Sequence, residues 1–173
     1  MNRPPEARLL LEDGEWWAED LPTWSHAVTS QTIDGRLYNL RVAFMKHEGF
    51  CTTLLSIFGI SGLELPVTRS SQRFPVTNTW NVDGEAEVAF GYVIAEDASF
   101  DQAPNTISAS VMPSRDAHVL LEAMTRGEWL NVSIGDIRLA FDLNGAGPTI
   151  DAALGAAEKG LGEGPGSPIE VTP

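Results

Sequence analysis

The sequence predicts a mainly β protein: an antiparallel β-sandwich, or small barrel, of about eight strands, with two helices in the C-terminal half. Three observations carry this expectation. Apolar and polar residues alternate in several separate segments, the period of half-buried strands. Asp-Gly and Gly-Asp pairs fall between such segments, where hairpins need tight turns. Apolar spacing of helical period appears in two stretches, both in the C-terminal half.

Taken in order, the first strand candidate lies in Glu15-Trp16-Trp17-Ala18-Glu19-Asp20-Leu21-Pro22-Thr23-Trp24. Tyr38, Leu40, Val42 and Phe44 then share one face, with Asn39 and Arg41 on the other. Asp34-Gly35 marks the turn before them. Thr52 to Phe58 is apolar on both faces, which suits a central, covered strand. Val76, Trp80 and Val82 form the next set, and Val88, Phe90, Tyr92 and Ile94 another. Between them, Asp83-Gly84 in a two-residue register would set Val82 against Glu85, so a three-residue loop with a bulge is expected. Ile107, Ala109 and Val111 follow. The clearest hairpin runs from Trp129 to Leu143 around Gly135-Asp136. Its register sets Ile134, Val132 and Leu130 against Ile137, Leu139 and Phe141, all on one face, and a one-residue slip would destroy this agreement.

Two helices complete the domain. Ser114 is the N-cap candidate of the first, with Ala117, Leu120, Leu121 and Met124 on one face and Gly127 as its stop. The second is expected after Pro148, with Thr149 as cap, Ile150, Ala153, Leu154 and Ala157 on one face, and Gly160 at its end. Residues 1–12 read as an N-terminal arm and 13–161 as a single domain. Residues 162–173 read as a flexible tail, because Gly162-Glu163-Gly164-Pro165-Gly166-Ser167-Pro168 cannot pack a core.

The chain has 173 residues, a length that suits one domain and supports a core without disulfide staples. Asp and Glu number 24 against 11 Lys and Arg, for a formal charge of −13. That balance opposes nucleic-acid binding, which needs a basic footprint, and adsorption to anionic membranes. No apolar run approaches the ~20 residues of a membrane span, so membrane insertion is not expected. The first residues lack the apolar core of a secretory signal. Read from Met1 the chain is expected to remain in the cytoplasm; removal of a leader would place it in the periplasm or outside. Cys51 is the single cysteine and forms no internal disulfide.

Motifs for chemistry are sparse. His26, His47 and His118 show no metal-ligand spacing, so neither a metal nor a cofactor is expected. Ser25-His26 would point to opposite faces of a strand, which does not suit a nucleophile and its base. Cys51 opens an apolar strand and reads as a small packed side chain. Gly145-Ala146-Gly147 reads as a turn into the last helix, without the full pattern of a phosphate loop.

Two features point to a surface instead. Trp16, Trp17 and Trp24 are three of five tryptophans and sit within nine positions. Clustered tryptophans are frequent anchors of protein interfaces, although a core role is the competing reading. Asp83, Glu85, Glu87, Glu96, Asp97 and Asp101 lie in one stretch without Lys or Arg, which suits steering of a basic partner. Asn81, Asp83, Glu85 and Glu87 are also spaced by two around a turn, as oxygen ligands for calcium can be.

Leu120-Leu121-Glu122-Ala123-Met124-Thr125-Arg126-Gly127-Glu128-Trp129-Leu130-Asn131-Val132 resembles the helix, glycine and strand of the invasion-associated locus B family. Ala140-Phe141-Asp142-Leu143-Asn144-Gly145 with Ile150-Asp151-Ala152-Ala153-Leu154 is similar to that family's closing pattern, and to the ending of VasI-like accessory proteins of type VI secretion. The resemblance covers residues 114–156. It implies a small β-sandwich of the bacterial envelope that acts by binding, and it transfers no functional residue.

The expected function is therefore a non-enzymatic, protein-binding β-sandwich with a bacterial accessory or envelope-associated role. The partner would present a basic surface, or be a second copy of the chain. Residues 36–73 carry a local excess of positive charge that could serve self-assembly. The alternatives are a structural assembly protein of a virion or appendage, and a calcium-dependent sugar binder or hydrolase.

Overall fold

The computed structural model describes residues 12–98, 106–113, 118–160, 167–169 and 171. Asp101, Ser114 and Ala117, singled out above, lie outside these, as does the arm except Glu12. The protein is mainly β, with two antiparallel sheets and two helices among the described residues. The strands are β1 (Trp16–Asp20), β2 (Trp24–Ile33), β3 (Arg36–His47), β4 (Phe50–Ile60), β5 (Gln72–Phe74), β6 (Asn78–Val82), β7 (Glu85–Phe90), β8 (Val93–Asp97), β9 (Ile107–Val111), β10 (Trp129–Ile134), β11 (Ile137–Asp142) and β12 (Ser167–Ile169). The helices are α1 (His118–Met124) and α2 (Ala146–Glu158).

The larger sheet has eight strands in the order β12-β1-β2-β3-β4-β9-β8-β5, and the smaller has four, β11-β10-β6-β7. Twelve described strands exceed the expected eight because the short ones escape a periodicity test. Strand β5 has three residues, and so does β12. Three residues contain no repeat of a two-residue period. Strand β12 also lies inside the stretch read as a tail: Ile169, Pro168 and Ser167 pair with Ala18, Glu19 and Asp20 of β1.

One apolar cluster joins both sheets. Tyr38, Leu40, Val42 and Phe44 of β3 supply it from the larger sheet, as their alternation predicts, with Leu55 and Ile57 of β4. Trp80 and Val82 of β6, Leu130, Val132 and Ile134 of β10, and Leu139 and Phe141 of β11 supply it from the smaller. Helix α2 lies against β1, β2 and β3, and α1 against β6 and β7. Strand β4 is central, between β3 and β9, which explains an apolar sequence on both faces.

The β10–β11 hairpin has the predicted register, with Ile134 opposite Ile137, Val132 opposite Leu139 and Leu130 opposite Phe141. The β6–β7 hairpin differs. Its turn is the two-residue Asp83-Gly84, both at positive φ, and Val82 does face Glu85. The extra residue sits inside β7, where Ala86 has φ 54°, and this bulge restores Trp80 opposite Val88 and Asn78 opposite Phe90. A bulge shifts side chains by one place, so it reconciles a tight turn with an apolar face.

The set Val88, Phe90, Tyr92 and Ile94 is not one strand. The chain leaves the smaller sheet after Phe90 and enters the larger at Val93, and the buried phase moves to Val93 and Ala95. Helix α2 begins at Ala146, ahead of Pro148, after Gly145 at φ 88°. Pro148 is tolerated in the first turn because its missing N–H has no intrahelical acceptor there. Thr149 caps differently than expected: its hydroxyl donates to the Gly145 carbonyl, 2.8 Å away.

Candidate binding cleft

The three tryptophans are held by the fold. Trp16 belongs to the shared core, and its indole N–H donates to the Asp142 carbonyl at 3.2 Å. Trp17 points to the opposite face of β1, yet it is only 6% exposed against 8% for Trp16. It meets the His26 ring edge-on at 5.6 Å. Trp24 is half-buried, with the Arg41 guanidinium 5.4 Å from its ring centre. The larger sheet is thus covered on both faces at β1, where an alternating pattern cannot tell surface from core.

The acidic stretch is divided between the two sheets. Asp83, Glu85 and Glu87 belong to the β6–β7 hairpin, whereas Glu96 and Asp97 end β8 in the other sheet. The Asp83 carboxylate accepts the backbone N–H groups of Glu128 at 3.0 Å and Trp129 at 2.9 Å. Glu96 accepts the Ser71 hydroxyl at 2.9 Å. Glu85 and Glu87 are exposed on β7, an edge strand. Among the described residues no three His, Cys, Asp or Glu side chains gather as a metal ion requires.

Asp20, Lys46, Glu19 and His26 on β1 to β3 are tied to one another within the fold. Lys46 is buried, and its ammonium group donates to the Asp20 carboxylate at 2.6 Å and the Leu21 carbonyl at 2.8 Å. The Ser25 hydroxyl donates to the same Asp20 carboxylate. His26 lies on the opposite face, where its Nε2 is 3.3 Å from Glu19 Oε2. Ser25 and His26 therefore have separate partners, as their neighbouring positions predict.

A cleft of about 610 Å³ opens between the tip of the β3–β4 hairpin and the two helices. Its floor is apolar: Phe44, Leu121, Ile150, Leu154 and Ala157, with Cys51 among them. His47, His118, Glu122, Asp151 and Glu158 stand around it. Phe50 lines its mouth and is 60% exposed, stacked on the His47 ring at 4.6 Å. Such a volume is ample for a few side chains or a small ligand. The local sequence produces this arrangement directly. The Gly49 turn, at φ 82°, throws Phe50 to the hairpin tip, and Asp151, Leu154 and Glu158 recur at i, i+3 and i+7 on α2.

The chain matches no family model, no curated protein and no solved structure.

Burial pushes the Cys51 thiol above its ordinary range, the Glu158 carboxylate adds to this, and Lys46 opposes it. A thiol so placed is held protonated, the reverse of an activated nucleophile. The His47 Nε2 shares a hydrogen bond with the Thr52 hydroxyl at 2.9 Å. No helix among the described residues is long and apolar enough to cross a membrane. Sequence reasoning passed over this site because its residues come from three distant segments. The signal it carried was acidic residues bordering the apolar stripe of α2.

Proposed function

We propose that the protein is a non-enzymatic binding domain that seats a segment of a protein partner in the cleft between the β3–β4 tip and the helices. The observation that carries this is Phe50, a large apolar side chain held in solvent at the mouth of an apolar-floored cleft. An exposed aromatic beside a concave apolar surface is the usual composition of an interface anchor. The protonated thiol of Cys51 favours binding over covalent catalysis. A bacterial accessory role is the one that the resemblance over residues 114–156 implies. Within this reading the exposed Glu85 and Glu87 contribute long-range steering only.

Peptides selected from a random display library against the wild-type protein test the reading. Binding to Phe50→Ser is expected to fall about tenfold or more, the ~1.4 kcal/mol of one buried anchor. Leu37→Ser, which removes an exposed leucine that does not line the cleft, is expected to leave binding unchanged. Both changes are at exposed positions, so folding is spared. Selected peptides that bind Phe50→Ser as well as wild type would overturn the proposal.

A further inference from the structure

We infer that the segment seated in the cleft carries an aliphatic or aromatic side chain next to a lysine or arginine. This rests on the cleft being the binding site proposed above, and it specifies the chemistry of the occupant. The floor accounts for the apolar part: Phe44, Leu121, Ile150, Leu154 and Ala157 present no hydrogen-bonding side-chain group. The rim accounts for the basic part. Among the described residues, Asp151, Glu158 and Glu122 are the acidic groups of the lining, and no Lys or Arg belongs to it.

The three carboxylates are not equivalent. Glu122 is already paired with Arg126, Oε1 to Nη2 at 2.7 Å, one helical turn apart. Asp151 and Glu158 have no ion-pair partner among the described residues. They lie seven residues apart on α2, about 10 Å along its axis, with Leu154 between them. Lys46 approaches the same region but is engaged by Asp20. Lys159 follows Glu158 and is exposed outside the lining. An anionic segment would therefore meet two carboxylates that no described cation pairs. A neutral apolar segment would leave both exposed carboxylates without a cationic partner. A segment that is both apolar and basic satisfies floor and rim together. The overall charge of −13 acts in the same direction at long range.

Three synthetic nine-residue peptides separate these requirements: one of leucines and arginines, one with glutamate replacing each arginine, and one with serine replacing each leucine. Cys51, the single cysteine and part of the lining, is the reporter, read as the ratio of iodoacetamide alkylation rates without and with peptide. The leucine–arginine peptide is expected to slow alkylation about tenfold or more at saturation, and the other two to change it less than about twofold. The paired change Asp151→Asn with Glu158→Gln is expected to weaken that peptide about tenfold. The pair Glu85→Gln with Glu87→Gln, remote from the cleft, is expected to leave it within about twofold.

Equal protection by the leucine–glutamate peptide would overturn the charge requirement and leave the proposed binding site standing, provided Phe50→Ser abolishes it. Equal protection by the serine–arginine peptide would reduce the effect to net charge and overturn the inference. So would an unchanged affinity in the Asp151→Asn, Glu158→Gln protein.

Discussion

At the scale of single residues, side chains that resemble surface features are structural ties. Asp83 sits in a turn at positive φ, where aspartate is tolerated, and its carboxylate accepts two backbone N–H groups at the start of β10. The neighbouring Asn81 Oδ1 accepts the Gly84 N–H at 2.9 Å and the Asn131 amide at 3.1 Å. The period-two acids that suggest calcium ligands therefore include a staple between two hairpins. Replacing Asp83 by Ala is expected to cost about 1.5–3 kcal/mol, the range for hydrogen bonds to a charged acceptor. Urea unfolding monitored by tryptophan fluorescence checks this, and an unchanged midpoint would remove Asp83 from the structural account. Trp16 behaves alike, since its N–H joins β1 to β11 rather than pointing outward.

At the scale of elements, the joints between sheets and helices decide the shape of the cleft. Gln31 clamps β2 to β11 with both ends of its amide: its Nε2 donates to the Asp142 carbonyl at 2.9 Å, and the Asp142 N–H donates to its Oε1 at 2.8 Å. The side chain thus replaces a neighbouring strand at the edge of the smaller sheet. Helix α2 meets Thr125, the residue that follows α1, at Gly147, where an added Cβ would lie 2.4 Å from the Thr125 carbonyl oxygen. That oxygen is backbone and cannot rotate away, so α2 must shift. Gly147→Ala is expected to cost about 1–3 kcal/mol, as overpacking does, and to weaken cleft binding with it, because both helices line the cleft. Thermal unfolding beside peptide anisotropy reads both effects. Normal stability with normal binding would show that the helices move independently.

At the scale of the whole molecule, charge is arranged differently from its order along the chain. The positive segment from Arg36 to Arg73 looks like a surface complementary to the acidic ones. In the fold, Arg41 lies 5.4 Å from the Trp24 ring centre and 5.1 Å from that of Phe58, Lys46 is buried against Asp20, and Arg73 covers the Tyr92 ring at 3.7 Å. Three of its five cations thus serve packing. The β1 edge, a natural site for strand addition, is occupied by β12 of the same chain. A protein with this arrangement and a charge of −13 is expected to be monomeric at micromolar concentration. Light scattering checks this. A dimer that dissociates when residues 161–173 are removed would instead assign β12 an exchange between copies.

The sequence by itself determined the elements that obey a period. The inward faces of β3, β6, β10 and β11 and the buried stripe of α2 were legible, because alternation and helical spacing are local and one buried face leaves a clear pattern. The β10–β11 register was legible for the same reason, since a one-residue slip would turn one strand's three apolar residues to the opposite face from their partners. Only the tertiary structure decided which faces are covered twice. Trp16 and Trp17 cannot both be assigned from alternation when each face of β1 has its own cover. Only the tertiary structure placed the bulge at Ala86, because a bulge answers the pairing strand rather than its own sequence. The cleft belongs to this second class. Phe50, Leu121 and Leu154 are distant along the chain, and packing of one helix on each sheet brings them around one cleft.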